Sequence, residues 1–197
     1  MMTRSIRNLI AAVSMAAVGL SGSTAFGQGR PDTKTLISAQ RDALKQFAYM
    51  DGVWRGPAWT ILASGQRHEI TQTERIGPFL DGSVKVVEGR GYEPDGTVSF
   101  NAFAVISYQP DKRTYVLHSY AQGLAGDFAL TPTSDGYIWE ILAGPATIRY
   151  TATIGNGAWR EVGDQITPGK EPVRFFEMNL KRVGDTKWPA DGVIPPR

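Results

Sequence analysis

Residues 47–56 of the chain read FAYMDGVWRG, and this stretch separates a helical segment from a long series of predicted strands. Gly52 allows the chain to turn sharply out of the preceding helix, because glycine adopts positive φ at little cost. Trp54 has enough apolar area to fill one end of a core, and Gly56 has no side chain to hold another backbone away. The spacing of these three residues predicts the place where a β-barrel closes.

One helix is predicted before this stretch. From Thr35 to Met50, apolar side chains recur at approximately helical spacing and polar side chains lie largely opposite them, which is typical of a helix with one buried stripe. We expect the stripe to pack against the barrel as a lid or plug. A helix that binds a partner is the alternative.

Beyond Gly52 the helical period is lost, and about ten short runs rich in Val, Ile, Thr and aromatic residues alternate with turn signals. Residues 94–96 (PDG) and 155–157 (GNG) are hairpin signals. Short turns without intervening helices make neighbouring strands antiparallel, and an open sheet of this length would expose two edges. The sequence predicts an all-β domain, a closed antiparallel up-and-down barrel of about ten strands with one N-terminal helix. A sandwich of the same strands is the alternative.

The N-terminus predicts an exported protein. Residues 1–27 have a basic start, an apolar run and a small-residue cleavage site, which are the three parts of a secretory signal peptide. The apolar run from Leu9 to Leu20 is too short to span a bilayer, so no stable membrane insertion is expected once the leader is removed. The predicted location is periplasmic or secreted. A membrane anchor or a surface helix is the alternative for this N-terminal segment. The remaining divisions are a tether over 28–34, the helix and barrel over 35–184 and an irregular tail over 185–197.

Charge and cysteine content narrow the possible partners. The chain has 21 Lys and Arg against 19 Asp and Glu, and the leader contains Arg4, Arg7 and no acid, so the remainder is formally neutral. A nucleic-acid partner is therefore not expected, because phosphate binding needs a clustered basic excess. Cys is absent, so stability comes from the core alone. The expected partner is a small molecule, and the expected state is a monomer or homodimer.

A family resemblance rests on the motif Gly52-Val53-Trp54-Arg55-Gly56 after a helix, and on a last strand that reads FEMNLKR over 176–182. Over residues 44–183 the chain resembles the calycin superfamily of lipocalin-like and fatty-acid-binding barrels. It is most similar to uncharacterised bacterial lipocalin-like proteins related to the nitrobindin barrels. The resemblance implies that Trp54 caps one end of the barrel beneath a basic side chain, Arg182 or Lys181, in a cation–π contact.

Nitrobindin-like members hold haem through a histidine near the end of the chain. This chain has two histidines, His68 and His118, and neither lies there. No haem or other cofactor is therefore expected. Two histidines without cysteine or helical i, i+4 spacing do not predict a metal site either.

Strand alternation predicts which side chains face inward. On the second strand Arg67, Glu69 and Arg75 belong to the solvated set, which places Glu74 in the interior. On the last strand Phe176 and Met178 belong to the apolar row. On the fifth strand the alternation does not decide which face is interior.

An apolar interior with a few polar groups is the composition of a small-molecule pocket. Trp54 and Trp139 are expected in its wall, and Glu74 with the pair His118 and Tyr120 among its polar anchors. The predicted ligand-binding residues are Glu74, His118, Tyr120, Trp139, Phe176 and Met178. The predicted closure residues are Gly52, Trp54, Gly56 and Arg182.

The sequence favours a binding protein over an enzyme. Glu74, Glu88, Glu140 and Glu177 could supply a carboxylate pair, but their positions on different strands define no separation between them. No phosphate loop or nucleophile elbow is recognisable. The predicted function is the binding of a small apolar or amphipathic molecule inside the barrel. The alternatives are an enzyme that uses the same cavity, such as an isomerase or a haem protein, and a barrel whose interior is filled and whose role is structural.

Overall fold

A computed structural model of the protein describes residues 32–191. The predicted signal peptide lies outside these residues. Helix α1 spans Thr33–Leu44, so it begins inside the predicted tether, and a 3₁₀ helix over Lys45–Met50 continues it. Within 32–191 no helix combines the length and the hydropathy that crossing a membrane would require.

The rest of the described chain forms ten strands that close into a single antiparallel barrel. In chain order they are β1 (Gly52–Ile61), β2 (Arg67–Phe79), β3 (Val84–Tyr92), β4 (Val98–Gln109), β5 (Thr114–Ala121), β6 (Leu124–Pro132), β7 (Gly136–Ala143), β8 (Ala146–Gly155), β9 (Ala158–Ile166) and β10 (Val173–Gly184). Each strand pairs with its neighbours in sequence, and β1 pairs with β10. The prediction of a closed up-and-down barrel is confirmed, and the sandwich alternative is wrong.

Two hairpins have two-residue turns in which both residues have positive φ, the geometry that matches the twist of paired strands. Asn156 and Gly157 have φ of 52° and 73°, as the sequence signal in that segment predicts. Gln122 and Gly123 have φ of 51° and 81° and join β5 to β6 in the same way. Such turns fix the strand register and therefore decide which residues lie opposite each other.

Closure depends on two glycines of β1. Gly52 has φ of 130°, a conformation that other residues rarely adopt, and it leads the chain out of the 3₁₀ helix. A Cβ atom on Gly56 would lie 2.0 Å from the carbonyl oxygen of Asn179 on β10. A side chain at position 56 would therefore push the closing strand away.

Trp54 fills the end of the barrel where β1 begins. Its side chain is 1% exposed, its Nε1 donates to the carbonyl oxygen of Met50 at 2.8 Å, and its ring meets Trp159 edge to face at 5.7 Å. Phe47 and Met50 of the 3₁₀ helix are also buried in this core. The plug is thus built from the helix and the indole together.

The predicted cation–π contact between Trp54 and Arg182 is wrong. Arg182 is the β10 neighbour of Trp54, but its guanidinium donates to the carbonyl oxygen of Asp51 at 3.1 Å and pairs with Asp185. Between residues 32 and 191 the cation–π contacts are Arg67 with Trp59 and Arg75 with Trp188. Arg182 therefore ties the closing strand to the helix–barrel junction through backbone and carboxylate oxygens.

Replacement of Trp54 by Ala should lower the free energy of unfolding by about 3 to 5 kcal/mol, because it removes a fully buried indole and leaves a cavity. Urea denaturation followed by circular dichroism measures this change. Tyr120→Ala is the control, since Tyr120 is 55% exposed and its loss should cost only about 0.5 kcal/mol. A loss below about 1 kcal/mol for Trp54→Ala would contradict the plug role.

Candidate ligand-binding site

The barrel encloses a cavity of about 740 Å³. Met50 and Trp159 line it at the end that the 3₁₀ helix plugs, and Leu62 and Leu124 line it at the opposite end. Leu62 and Leu124 are 42% and 77% exposed, so this opposite end is the mouth. The volume is within the range of protein pockets that hold small molecules.

Aromatic and apolar side chains make most of the cavity wall. Trp139 stacks on Tyr150 with 4.2 Å between ring centroids and 6° between planes, and Phe176 meets Tyr150 at 5.8 Å. Met178, which is 4% exposed, lies in the same wall. The predicted interior positions of Trp139, Phe176 and Met178 agree with this geometry.

Glu74 is buried inside the barrel close to the plug, as the alternation of β2 predicts. It is 8% exposed, and its Oε1 accepts a hydrogen bond of 2.7 Å from Nε2 of Gln72. A Cβ atom on Gly89 would lie 2.8 Å from Oε1, so the absence of a side chain at position 89 makes room for the carboxyl group. Its carboxyl group therefore lies against Gly89, its partner on β3.

Burial raises the pKa of Glu74 to about 8, because desolvation penalises the charged carboxylate. The Gln72 hydrogen bond acts in the opposite direction, and the charges of Glu161 and Glu88 raise the pKa further. Glu74 therefore carries its proton at neutral pH and can donate a hydrogen bond.

Glu161 of β9 is a second buried carboxyl group in the cavity wall, with an exposed fraction of 6%. The Tyr137 hydroxyl donates to its Oε2 at 2.6 Å, and Trp139 Nε1 donates to its Oε1 at 3.2 Å. Burial raises the pKa of Glu161, and these hydrogen bonds oppose the rise. Because Glu161 accepts two hydrogen bonds and Glu74 accepts one, ionisation favours Glu161 over Glu74.

Trp159 also lies at this polar end. Its side chain is 2% exposed and lines the cavity, and its Nε1 has no hydrogen-bond partner of normal geometry within residues 32–191. The N–H lies near enough to Glu161 to lower the pKa of that carboxyl group. A buried donor without a partner costs about 1 to 3 kcal/mol.

His118 and Tyr120 lie outside the cavity, which corrects their prediction as ligand anchors. Leu117 and Ser119 line the cavity, so the alternating residues face outward. His118 Nδ1 is 2.7 Å from the exposed carboxylate of Asp127, and Tyr120 is 55% exposed.

The other predicted carboxylate candidates form ion pairs on the outer face. The pairs are Arg75–Glu88 at 2.5 Å, Arg149–Glu140 at 2.6 Å and Arg160–Glu177 at 3.1 Å. His68 lines the cavity but pairs with Glu93 at 2.9 Å. The described residues contain no group of three His, Cys, Asp or Glu side chains placed to hold a metal ion.

The sequence reading missed Glu161, Tyr137 and Trp159. The GNG turn fixes β8 against β9, which aligns Ala152 with Glu161 and Ile154 with Trp159. Ala152 and Ile154 are apolar, so this register is a signal that the facing residues point inward. In the same way, the Gln122-Gly123 turn places His118 opposite Asp127.

Comparison with known proteins supports the fold. The chain is similar to the crystal structure of Rv2717c from M. tuberculosis, with a TM-score of 0.54 and 12% identity over 71% of this chain and 96% of that chain. The two chains therefore share a fold. No protein-family model and no curated protein matches the sequence. At this identity the similarity extends to the fold alone.

Glu74→Gln should change how stability depends on pH. Glu74 binds its proton more tightly in the folded state, so its contribution is complete below its ordinary pKa of 4.5 and is lost as the pH rises to about 8. Relative to Glu74→Gln, the wild-type protein should lose on the order of 1 kcal/mol of unfolding free energy per pH unit over that interval. Urea denaturation between pH 5 and about 9 measures the slope.

Glu177→Gln is the matched control. Hydrogen bonds from Asn179 and Arg160 lower the pKa of Glu177, so its contribution is present above its ordinary pKa and is lost as the pH falls. Glu177 is therefore ionised in both the folded and the unfolded state above about pH 5, and the Glu177→Gln variant should keep the wild-type slope there. Equal slopes for wild type and Glu74→Gln would show that Glu74 is not buried as described.

Proposed function

We propose that this protein is exported to the periplasm or secreted and that its barrel binds a small apolar or amphipathic molecule. The observation that carries the proposal is the apolar cavity of about 740 Å³ with a polar cluster at its closed end. This combination of a large apolar wall and a few convergent polar groups is characteristic of small-molecule sites. The leader over residues 1–27 supports export.

The size of the cavity disfavours the filled-barrel alternative, because side chains would have to occupy that volume. Haem ligation has no support from the residues present. His118 faces outward, and His68 is engaged by Glu93. The proposed binding function does not involve haem.

The first test compares variants at two adjacent positions on β5. Ser119 lines the cavity and Tyr120 faces outward, so Ser119→Trp should fill the cavity and Tyr120→Trp should not. We expect Ser119→Trp to weaken binding of the hydrocarbon fluorophore diphenylhexatriene by about tenfold or more, since its indole occupies the volume that the fluorophore needs. Fluorescence titration measures both variants.

The outer-face variant Tyr120→Trp should bind the fluorophore as the wild type does. Native mass spectrometry of the wild-type protein after mild purification should also detect a co-purified small molecule. Absence of fluorophore binding by the wild-type protein would refute the binding proposal.

An acid–base enzyme is the second candidate, and the pair of Glu74 and Glu161 favours it. Two carboxyl groups in one cavity with different tendencies to ionise can serve as acid and base, for example in an isomerase. Such an enzyme would convert the co-purified molecule in a protein-dependent reaction. Glu74→Gln should abolish that conversion and retain fluorophore binding, whereas a binding protein shows no conversion at all.

A further inference from the structure

The closed end of the cavity contains hydrogen-bond acceptors that the protein itself does not satisfy. Gln72 is 4% exposed and lines the cavity, and its Nε2 donates to Oε1 of Glu74 at 2.7 Å. Within residues 32–191, Oε1 of Gln72 and Oε2 of Glu74 accept no hydrogen bond. A buried amide that uses its donor and leaves its carbonyl oxygen without a partner indicates a ligand that donates.

These two oxygens are open to a ligand. Among the described residues, the polar side-chain atoms that are both unpartnered and fully enclosed are Ser99 Oγ and Trp159 Nε1. The free oxygens of Gln72 and Glu74 are therefore not fully enclosed, and both residues line the cavity. A donor group that enters the cavity can contact them.

A second carboxyl group, that of Glu161, lies in the same wall and is oriented as an acceptor. Tyr137 donates to its Oε2, and Trp139 donates to its Oε1. Hydrogen bonds donated to a carboxylate stabilise its charged form. The charge of Glu161 also acts on Glu74, because it raises the pKa of that residue. Both carboxyl groups thus affect the same end of the cavity.

The cavity wall supplies no positive charge to balance these carboxyl groups. No Lys or Arg belongs to the lining that the structure describes. Lys85 is buried, but it pairs with Asp51 and does not line the cavity. His68, at the mouth end of β2, pairs with Glu93. A ligand cation would supply the missing charge, and its presence would favour the ionised form of Glu74 over the protonated form.

The aromatic part of the wall accepts a cation as well as a hydrocarbon. Trp139, which donates to Glu161, stacks on Tyr150, and both rings line the cavity. The faces of such rings attract cations. A ligand carboxylate would be buried beside two carboxyl groups without a compensating cation, which is strongly unfavourable. An alcohol can donate one hydrogen bond, but it leaves a buried carboxylate charge unbalanced.

We propose, on the basis of the binding function above, that the ligand is a lipophilic primary amine whose ammonium group lies at the plugged end and donates to the free oxygens of Gln72 and Glu74. Glu161 contributes its negative charge to the same end. The hydrocarbon portion lies along the aromatic wall of Trp139 and Tyr150 toward the mouth. Fatty-acid anions are the class that the site rejects.

The proposal is tested by competition of matched ten-carbon compounds against diphenylhexatriene at pH 7, below the concentrations at which the compounds aggregate. The compounds are decylamine, decyltrimethylammonium, decanol and decanoate. Decylamine, which is protonated at this pH, should bind at least about tenfold more tightly than decanol and decanoate, because it adds charge-assisted hydrogen bonds. Decyltrimethylammonium should bind about tenfold more weakly than decylamine, because it carries the charge without an N–H donor.

Glu74→Gln is the decisive variant, because it removes a carboxylate and keeps the size of the side chain. It should weaken decylamine binding by about tenfold and leave the affinity for diphenylhexatriene, a hydrocarbon without a polar group, within about twofold of wild type. Glu177→Gln is the matched control, since it removes one carboxylate on the outer face, where Glu177 pairs with Arg160, and it should change neither affinity. The wild-type compound series does not depend on whether either variant folds.

Each outcome separates this inference from the proposed function. If decanol or decanoate binds as tightly as decylamine, the inference is wrong and the binding function stands. If decyltrimethylammonium binds as tightly as decylamine, or if Glu74→Gln keeps the preference for decylamine while it binds the fluorophore, the assigned acceptors are wrong. If neither the fluorophore nor any competitor binds the wild-type protein, the binding function and the inference both fail.

Discussion

The burial of Trp54 is the interaction on which the rest of the structure depends. The indole lies on the first strand, donates to the last residue of the 3₁₀ helix and meets Trp159 of the ninth strand, so one side chain joins three parts of the chain that are distant in sequence. Gly56 allows β10 to approach β1 at the same level. A barrel is closed, without a free strand edge, only when its first and last strands pair. The packing around Trp54 therefore also determines that an interior cavity exists. The closed end is buried and carries the polar residues, and the open end is exposed at Leu62 and Leu124.

The fold was predictable because local signals agree with one another. Residues 155–157 specify a tight hairpin, and the charged face of β2 specifies its solvent side. Glu74 could be assigned to the interior for the same reason, since Arg67, Glu69 and Arg75 can hardly lie in an apolar core. The basic partner of Trp54 could not be predicted. Whether Arg182 stacks on a ring or binds Asp51 and Asp185 depends on the bulge between β1 and β10, which no short motif records.

The polar end of the site was harder to predict because it requires register as well as alternation. On β5 the two faces are equally mixed, and His118 with Tyr120 is no more polar than Ser119 with Ala121. On β9 the inward row of Trp159, Glu161 and Gly163 looks no more apolar than the outward row of Arg160, Val162 and Asp164. The assignment follows only when the tight turns are used to align each strand with its neighbour. A carboxylate that lies opposite an alanine or isoleucine of known orientation then becomes recognisable as buried.

Buried carboxyl groups are a cost that barrel stability does not require. Glu74 and Glu161 occupy positions where apolar side chains of similar size would pack without a desolvation penalty, and replacement of buried polar groups by apolar residues often stabilises proteins. Neither carboxyl group has a cationic partner in the cavity wall, because the described lining contains no Lys or Arg. Their hydrogen bonds with Gln72, Tyr137 and Trp139 hold them in place but leave Trp159 without a partner of normal geometry in the described chain. A costly and oriented polar cluster in the wall of an apolar cavity is explained most simply by a ligand that contacts it.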